Sequence, residues 1–451
     1  MVVGHVCVVH SHCYHGSHES HGRRSGRVQR GWNRVSTTRV TTTQCAVERR
    51  NDGEGFTKES DTYFIKRLEQ RGWDSARDTL PGAFETKGLH GGIDLVWRAM
   101  ESIYGLGIIE TALMPSPWLQ EAVARAGSGD VGARTRVFLK MENTQKTGSF
   151  KARGAAFKVL SLTPEERKNG IVISSTGNHA LAVLNAIKEI RKMTGERIPV
   201  EMYLPETISS RKLSKIEREA EACGGHITLL GQDCVESEIA ARRAADEGGK
   251  VYISPYNDVH VVAGQGTIAI EILMATDKLD IVFVPVGGGG LISGVASALK
   301  GIAPHVKVIG CQPEASDVMR QSVEAGKVVS MPWLETLSEG TAGSIEDDTI
   351  TLEYCADLVD DWVTVSESEI AAAMVGFHGH HAAQIEGAAA VTIASIIKMA
   401  PSLAGKHVVA VICGGNVGGD MLDVAYDIVR GVHLTKDEQR QQSKKGEASA
   451  F

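Results

Sequence analysis

From about residue 92 onward, hydrophobic and polar positions settle into two alternating rhythms. Short, nearly unbroken apolar runs such as Gly170-Ile-Val-Ile-Ser and Ile281-Val-Phe-Val-Pro-Val read as strands buried on both faces. Val200-Glu-Met-Tyr-Leu, Ile227-Thr-Leu-Leu, Val251-Tyr-Ile, residues 306–311 and residues 408–413 are predicted as further strands. Between them apolar positions recur at helical spacing, from Ala180 to Ile190, Val235 to Asp246, Leu291 to Leu299 and Met421 to Arg430. Strands that alternate with helices and lack a polar face predict an α/β fold of parallel sheets covered by helices. No internal repeat is present.

The first 50 residues follow neither rhythm. They carry eight arginines, no lysine, two acids and six histidines in a Ser/Thr/Gly background. Such a leader reads as an organelle transit peptide or as a disordered tail. Its tract His10, His12, His15, His18 and His21 is expected to be solvated rather than to hold a metal. At the other end, the polar stretch from Thr435 is expected to fray.

Composition narrows the function. The chain has 451 residues, enough for two or three domains, with 42% hydrophobic and 23% charged residues. A net charge of −7 argues against a nucleic-acid partner, and no apolar run reaches the ~20 residues of a membrane span. Aromatics are scarce at 5% while glycines number 49, which suits tight turns and backbone-lined ligand sites. Eight cysteines lie scattered without C-x-x-C spacing, so neither a zinc site nor a disulfide framework is expected. The expected location is cytoplasmic, or mitochondrial or another organelle if residues 1–50 are a transit peptide.

Four stretches carry candidate chemistry. Gly148-Ser149-Phe150-Lys151-Ala152-Arg153-Gly154 sets a lysine among small residues and beside an arginine. Desolvation and the neighbouring positive charge are both expected to favour the neutral amine, which can form a Schiff base. Ser174-Ser175-Thr176-Gly177-Asn178-His179-Ala180 joins a strand end to a helix start, where free backbone N–H groups suit a carboxylate. Pro285-Val-Gly287-Gly288-Gly289-Gly290-Leu291 repeats that arrangement with four glycines that let the backbone approach a phosphate. It matches neither the G-x-x-x-x-G-K-[ST] loop nor a strict G-x-G-x-x-G, so a small phosphorylated cofactor is the better expectation. Cys413-Gly414-Gly415-Asn416 closes the last strand. Taken one at a time, each also reads as ordinary structure: a surface lysine, an N-cap, a flexible turn, a buried thiol.

In this order and spacing the four stretches resemble the serine/threonine dehydratases, fold-type-II pyridoxal phosphate enzymes that also include serine racemase. The resemblance runs from about Gly92 to Arg430 and takes in Lys140-Met-Glu-Asn-Thr-Gln-Lys-Thr-Gly-Ser, Ala263-Gly-Gln-Gly-Thr-Ile-Ala, Ser338-Glu-Gly-Thr-Ala and Ile385-Glu-Gly-Ala. It implies two parallel-sheet domains of the tryptophan synthase β-like architecture. Residues 92–168 and 259–430 would form a large cofactor-binding domain and 169–258 a small one. Residues 1–91 would be an extension, largely disordered or targeting, and 431–451 a tail. Lys151 would carry pyridoxal 5'-phosphate, with Phe150 beside its ring. Asn178 would bond the phenolic oxygen, and Gly287, Gly288, Gly289, Gly290 and the Leu291 N–H the phosphate. Cys413 would face the pyridine nitrogen, where the family commonly has serine. Ser175, Thr176, Gly177, Asn178 and His179 would cradle the substrate carboxylate.

The activity so implied is elimination of water and ammonia from L-threonine or L-serine to give 2-oxobutanoate or pyruvate. The partners implied are a small amino acid and a second copy of the chain, as a homodimer. Serine racemase and 3-hydroxyaspartate ammonia-lyase are the competing activities, and a non-catalytic binding protein on this fold is the competing class. Thr176 stands where racemases place a serine and many dehydratases an alanine, so its hydroxyl keeps a second, catalytic role open. Gln312-Pro-Glu-Ala-Ser-Asp317 begins with glutamine where metal-activated relatives have glutamate, so no required metal is expected. His378, His380 and His381 are read as a helix surface. Thr111-Ala112-Leu113 lacks the family's middle proline. About 20 residues follow Arg430, which suggests a catabolic-type enzyme without an appended regulatory domain.

Overall fold

The computed structural model describes residues 58–73, 92–127 and 135–432, apart from positions 233, 333 and 419. The expectations for residues 1–50, with their histidine tract, and for the tail from Thr435 lie outside the described residues. Numbered along the chain, the strands are β1 (Leu113–Pro115), β2 (Arg136–Lys140), β3 (Ile171–Ile173), β4 (Val200–Leu204), β5 (His226–Leu229), β6 (Val251–Tyr252), β7 (Ile281–Pro285), β8 (Lys307–Pro313), β9 (Asp361–Val365) and β10 (His407–Val411). They form a six-stranded sheet, β1-β2-β10-β7-β8-β9, and a four-stranded sheet, β5-β4-β3-β6. Every pairing is parallel except β1 with β2.

The central strands show why the run pattern was legible. All residues of β7 and of β3 are buried, as helices on both faces of a parallel sheet require. The loops that follow β3, β6, β7 and β10 leave from the carboxyl ends of their strands, where ligands of open α/β sheets sit.

A buried helix, Val259–Ala275, sets the spacing of the functional loops. A Cβ added at Gly264 would lie 2.6 Å from the Cα of Gly154, so the helix Lys151–Ser161 meets it backbone to backbone. On its other side, a Cβ at Gly294 would fall 2.1 Å from the Val262 carbonyl oxygen, which brings in the helix Gly290–Ile302 just as closely. The two helices that begin at Lys151 and at the glycine run are thus held against one rod.

Charge is buried beside that rod. Arg153 donates through Nε and Nη2 to Glu142 at 2.7 and 2.8 Å, and to Glu271 through Nη1 and Nη2 at 2.6 and 2.8 Å. Lys140 pairs with Glu271 and donates to the Thr111 carbonyl at 2.7 Å. Thr111 also donates from its amide to Glu271 at 3.2 Å, so the Thr111-Ala112-Leu113 turn is anchored by this cluster.

Part of the expected extension is ordered by its own apolar residues. Residues Lys58–Glu69 form a helix whose Ile65 and Leu68 are buried, and buried Trp73 donates Nε1 to the carbonyls of Leu273 and Thr276, both at 3.0 Å. The indole N–H caps the end of the central helix, a partner no local pattern could announce. Among the described residues, no helix is long and apolar enough to cross a membrane.

Candidate active site

Lys151 opens its helix directly after Phe150, whose N–H donates to the Cys413 carbonyl at 2.9 Å. Ser149 pairs with Gly414 across the same junction. The lysine is therefore clamped to the end of β10. Its Nζ donates to the Pro255 carbonyl at 2.7 Å and lies 5.2 Å from the Phe150 ring centroid. Burial lowers its pKa to about 8, against the opposing pull of the Glu386 carboxylate. The expected help from Arg153 does not occur: that guanidinium is paired with Glu142 and Glu271 and also donates to Thr267 and the Ile109 carbonyl, and burial is what lowers the lysine pKa.

The glycine run follows β7. Gly289, at φ +85°, caps the helix Gly290–Ile302 in a conformation that side chains disfavour. A Cβ on Gly288 would lie 2.5 Å from the Tyr256 ring, so that ring rests on bare backbone. The ring is held in turn by its hydroxyl, which accepts from the Glu346 N–H at 2.9 Å. Among the described residues, the backbone N–H groups of Gly287 to Leu291 have no acceptor within the protein. They form a ready anion cradle.

The loop after β3 holds Ser175, Thr176 and Gly177, all half-buried, and leads into the helix Asn178–Thr194. The His179 ring points away from the cradle. Its Nε2 meets the Ile253 carbonyl at 2.9 Å; a carbonyl only accepts, so this nitrogen carries the hydrogen. Burial, then the charge of Lys151, lowers its pKa to about 3, so the ring stays neutral and leaves only its backbone N–H for an anion.

Cys413 is buried between the two sheets' loops, and burial followed by the nearby Glu386 pushes its thiol well above the usual range. It stays uncharged. Asn178 donates Nδ2 to both oxygens of Glu386, at 2.9 and 3.0 Å, and its Oδ1 accepts from Asn416 Nδ2 at 2.7 Å. Glu386 also accepts the Asn416 N–H at 2.8 Å, while burial raises its own pKa.

Lys151, Phe150, Asn178, Cys413 and the N–H groups of both loops thus gather around one seam between the sheets. Sequence reasoning missed Glu386, Tyr256 and the role of Asn416. Glu386 and Asn416 lay within stretches already singled out, and Tyr256 follows a Ser254-Pro255 turn signal.

A model of the pyridoxal-phosphate dependent enzymes matches residues 106–414, more than half of the chain. The chain belongs to this family. Pyridoxal phosphate is its cofactor, and the residues present fit that group: a buried amine whose pKa is lowered to about 8, and a glycine run whose N–H groups have no acceptor within the described protein. An L-threonine ammonia-lyase of Thermotoga maritima is 40% identical over 287 residues, covering 64% of this chain and 69% of that protein. A serine racemase of Arabidopsis thaliana is 36% identical over 286 residues, covering 62% and 83%. The processed form of threonine deaminase isoform 2 from Solanum lycopersicum matches with a TM-score of 0.66 and 28% identity, over 76% of this chain and 94% of that one. This is the α/β fold of two largely parallel sheets expected for fold type II.

The stretch from the end of β8 onward is internally engaged. Gln312 donates Nε2 to the Val286 carbonyl at 3.2 Å and accepts the Arg320 N–H at 2.9 Å. Asp317 pairs with Arg320, and Glu314 with Lys398 at 3.2 Å. The histidines of the helix Glu367–His381 stack on aromatic neighbours: His380 lies 5.0 Å from Trp118, and His381 4.4 Å from Phe377.

Proposed function

We propose that this protein removes water and ammonia from L-threonine or L-serine, releasing 2-oxobutanoate or pyruvate. The observation that carries the reading is Lys151, a buried amine with its pKa lowered to about 8 whose Nζ donates to the Pro255 carbonyl, next to the Tyr256 ring that rests on the glycine run. When bound, pyridoxal phosphate supplies an electron sink for the carbon that loses its proton.

The protein's part follows from the positions above. The Gly287–Leu291 N–H groups would hold the phosphate, and Asn178, whose NH2 donates to Glu386, would have to redirect an N–H from it to meet the phenolic oxygen. Backbone N–H groups of the Ser175–His179 loop would orient the substrate carboxylate, that of Gly177 being the one already donated to Ser175 Oγ at 3.3 Å. Lys151, freed as a neutral amine, takes the Cα proton. Cys413, uncharged, would put no negative charge beside the pyridine nitrogen, a setting that favours loss of the β-hydroxyl over slower amino transfer. The domain division at residues 169–258, a homodimer, and an organelle or cytoplasmic location belong to the same reading.

The 40%-identical relative described as an L-threonine ammonia-lyase supports the lyase assignment. A second reading, serine racemisation, has one observation in its favour: Thr176 brings a hydroxyl to the half-buried loop after β3. The test is 2-oxo acid release from purified protein with added cofactor, on L-threonine and L-serine in parallel, with Lys151→Ala as control. Product that depends on Lys151 supports the lyase. Bound cofactor without 2-oxo acid, together with D-serine formation that Thr176→Ala removes, would establish racemisation instead.

A further inference from the structure

The chain passes from β6 to the buried helix Val259–Ala275 through Ser254-Pro255-Tyr256-Asn257, and this short link touches the site twice. The Pro255 carbonyl receives the Lys151 amine at 2.7 Å. Tyr256 lies against the glycine run: a Cβ added at Gly288 would fall 2.5 Å from its ring, and one at Gly290 would fall 2.9 Å from its Cα. The link is therefore a wall shared by the lysine and the glycines.

One carboxylate, that of Glu346, gathers the donors of this link. Ser254 is buried and its hydroxyl oxygen accepts the Asn257 N–H at 3.0 Å, so its single hydrogen goes to Glu346 Oε1 at 3.3 Å. Asn257 accepts the Ile350 N–H through Oδ1 at 3.0 Å, which turns its NH2 to Glu346 Oε2 at 2.7 Å. The main-chain N–H of Glu346 donates to the Tyr256 hydroxyl. The balancing charge comes from the other sheet. Arg242, on the helix Cys234–Gly248 that packs on β3, β4 and β6, pairs with Glu346 at 2.8 Å and lies 4.3 Å over the Tyr252 ring. Five residues beyond Glu346, Thr351 donates its hydroxyl to the Gly288 carbonyl at 2.7 Å. Residues 346–351 are thus fastened to a helix of the four-stranded sheet at one end and to the glycine run at the other.

We propose that Glu346 is a positioning residue that holds the Ser254–Asn257 link against the glycine run and thereby sets the affinity of the site for the cofactor. The inference rests on the reading of the glycine run as the phosphate cradle. Among the described residues, neither the Ser254 hydroxyl nor the Asn257 NH2 has another acceptor. Without the carboxylate both donors lose their partner, and Arg242 keeps only Glu238.

The test is cofactor affinity by equilibrium dialysis, with the urea midpoint measured in parallel. Glu346→Ala is expected to weaken binding about tenfold. Glu346→Gln keeps one acceptor oxygen and is expected to recover part of that loss. Arg242→Met leaves both bonds to the link in place and is expected to cost no more than about threefold. A residue that acts through the link has little left to position once the ring is gone. Glu346→Ala in a Tyr256→Ala background is therefore expected to add less than about twofold. A Glu346→Ala protein with a lower urea midpoint but unchanged affinity would overturn the proposal, as would an undiminished tenfold loss in the Tyr256→Ala background. Should the alanine variant not fold, unchanged affinity in Glu346→Gln overturns it instead. Gly288→Ala tells the two readings apart. Unchanged affinity there removes the phosphate cradle and this inference with it, whereas weakened binding there beside an unchanged Glu346→Ala removes the role of Glu346 alone.

Discussion

Lys151 and His179 sit on the same seam and are displaced from their ordinary ionisation for the same reason, burial, with different consequences. For the lysine, the neutral form is the reactive one, and it gains population as pH rises through about 8. Cofactor uptake by the cofactor-free protein is therefore expected to accelerate between pH 7 and pH 9 and then level off, as stopped-flow absorbance would record. An inflection near the ordinary lysine value of 10.5 would show that burial does not act on this amine. His179, at about 3, is neutral throughout that range and contributes no step of its own. Cys413 supplies the companion prediction. Cys413→Ser keeps a small neutral group and is expected to retain elimination within a few-fold. Cys413→Asp places an anion beside Glu386 and the pyridine nitrogen, and is expected to slow elimination and open a measurable transfer of the amino group to the cofactor. Clean elimination by the Asp variant would sever the link between a neutral Cys413 and reaction choice.

Elements matter here chiefly through where their ends are pinned. The helix Val259–Ala275 is buried around nearly its whole circumference, so it has no polar face to mark it as a helix, and Gly264 and Gly266 weaken its local signal further. Those glycines are the points of closest approach. Gly294→Ala would drive a methyl into the Val262 carbonyl, 2.1 Å from the added carbon. The expected result is a loss of about 1–3 kcal/mol in urea unfolding, with weaker cofactor binding, since the glycine run begins the same helix. Gly288→Ala separates the two effects. Its Cβ would meet the Tyr256 ring first, a side chain rather than backbone, so cofactor affinity measured by equilibrium dialysis is expected to fall with a smaller change in stability. β2 and β9 were missed for a related reason: Arg136 and Lys140 bracket one, and Asp361 opens the other, so neither shows an unbroken apolar run.

At the scale of the molecule, the Arg153–Glu142–Glu271–Lys140 cluster joins the turn before β1, the end of β2, the lysine helix and the central helix. Two cations balance two carboxylates there, so removing one leaves an uncompensated buried charge. Arg153→Met is expected to cost about 3–5 kcal/mol in chemical denaturation. A loss under about 1 kcal/mol would mean that water or protonation relieves the carboxylates. Arg153 also shows where sequence reading stops. Standing two residues from Lys151, it suggested a charge acting on the amine, but its carboxylate partners are 11 and 118 residues away. Strand runs and helix starts were legible, and the lysine and both loops could be singled out, because each is a local matter: residue spacing sets where a strand hands over to a helix and which faces are apolar. Asn178 meets Glu386 across 208 residues, and Lys215 meets Asn416 across 201. Those meetings depend on the order of strands in two sheets and on the face each helix turns inward. Local spacing carries neither, so the ionisation of Lys151, the orientation of Asn178 and the neutrality of Cys413 were decided only when the chain was folded.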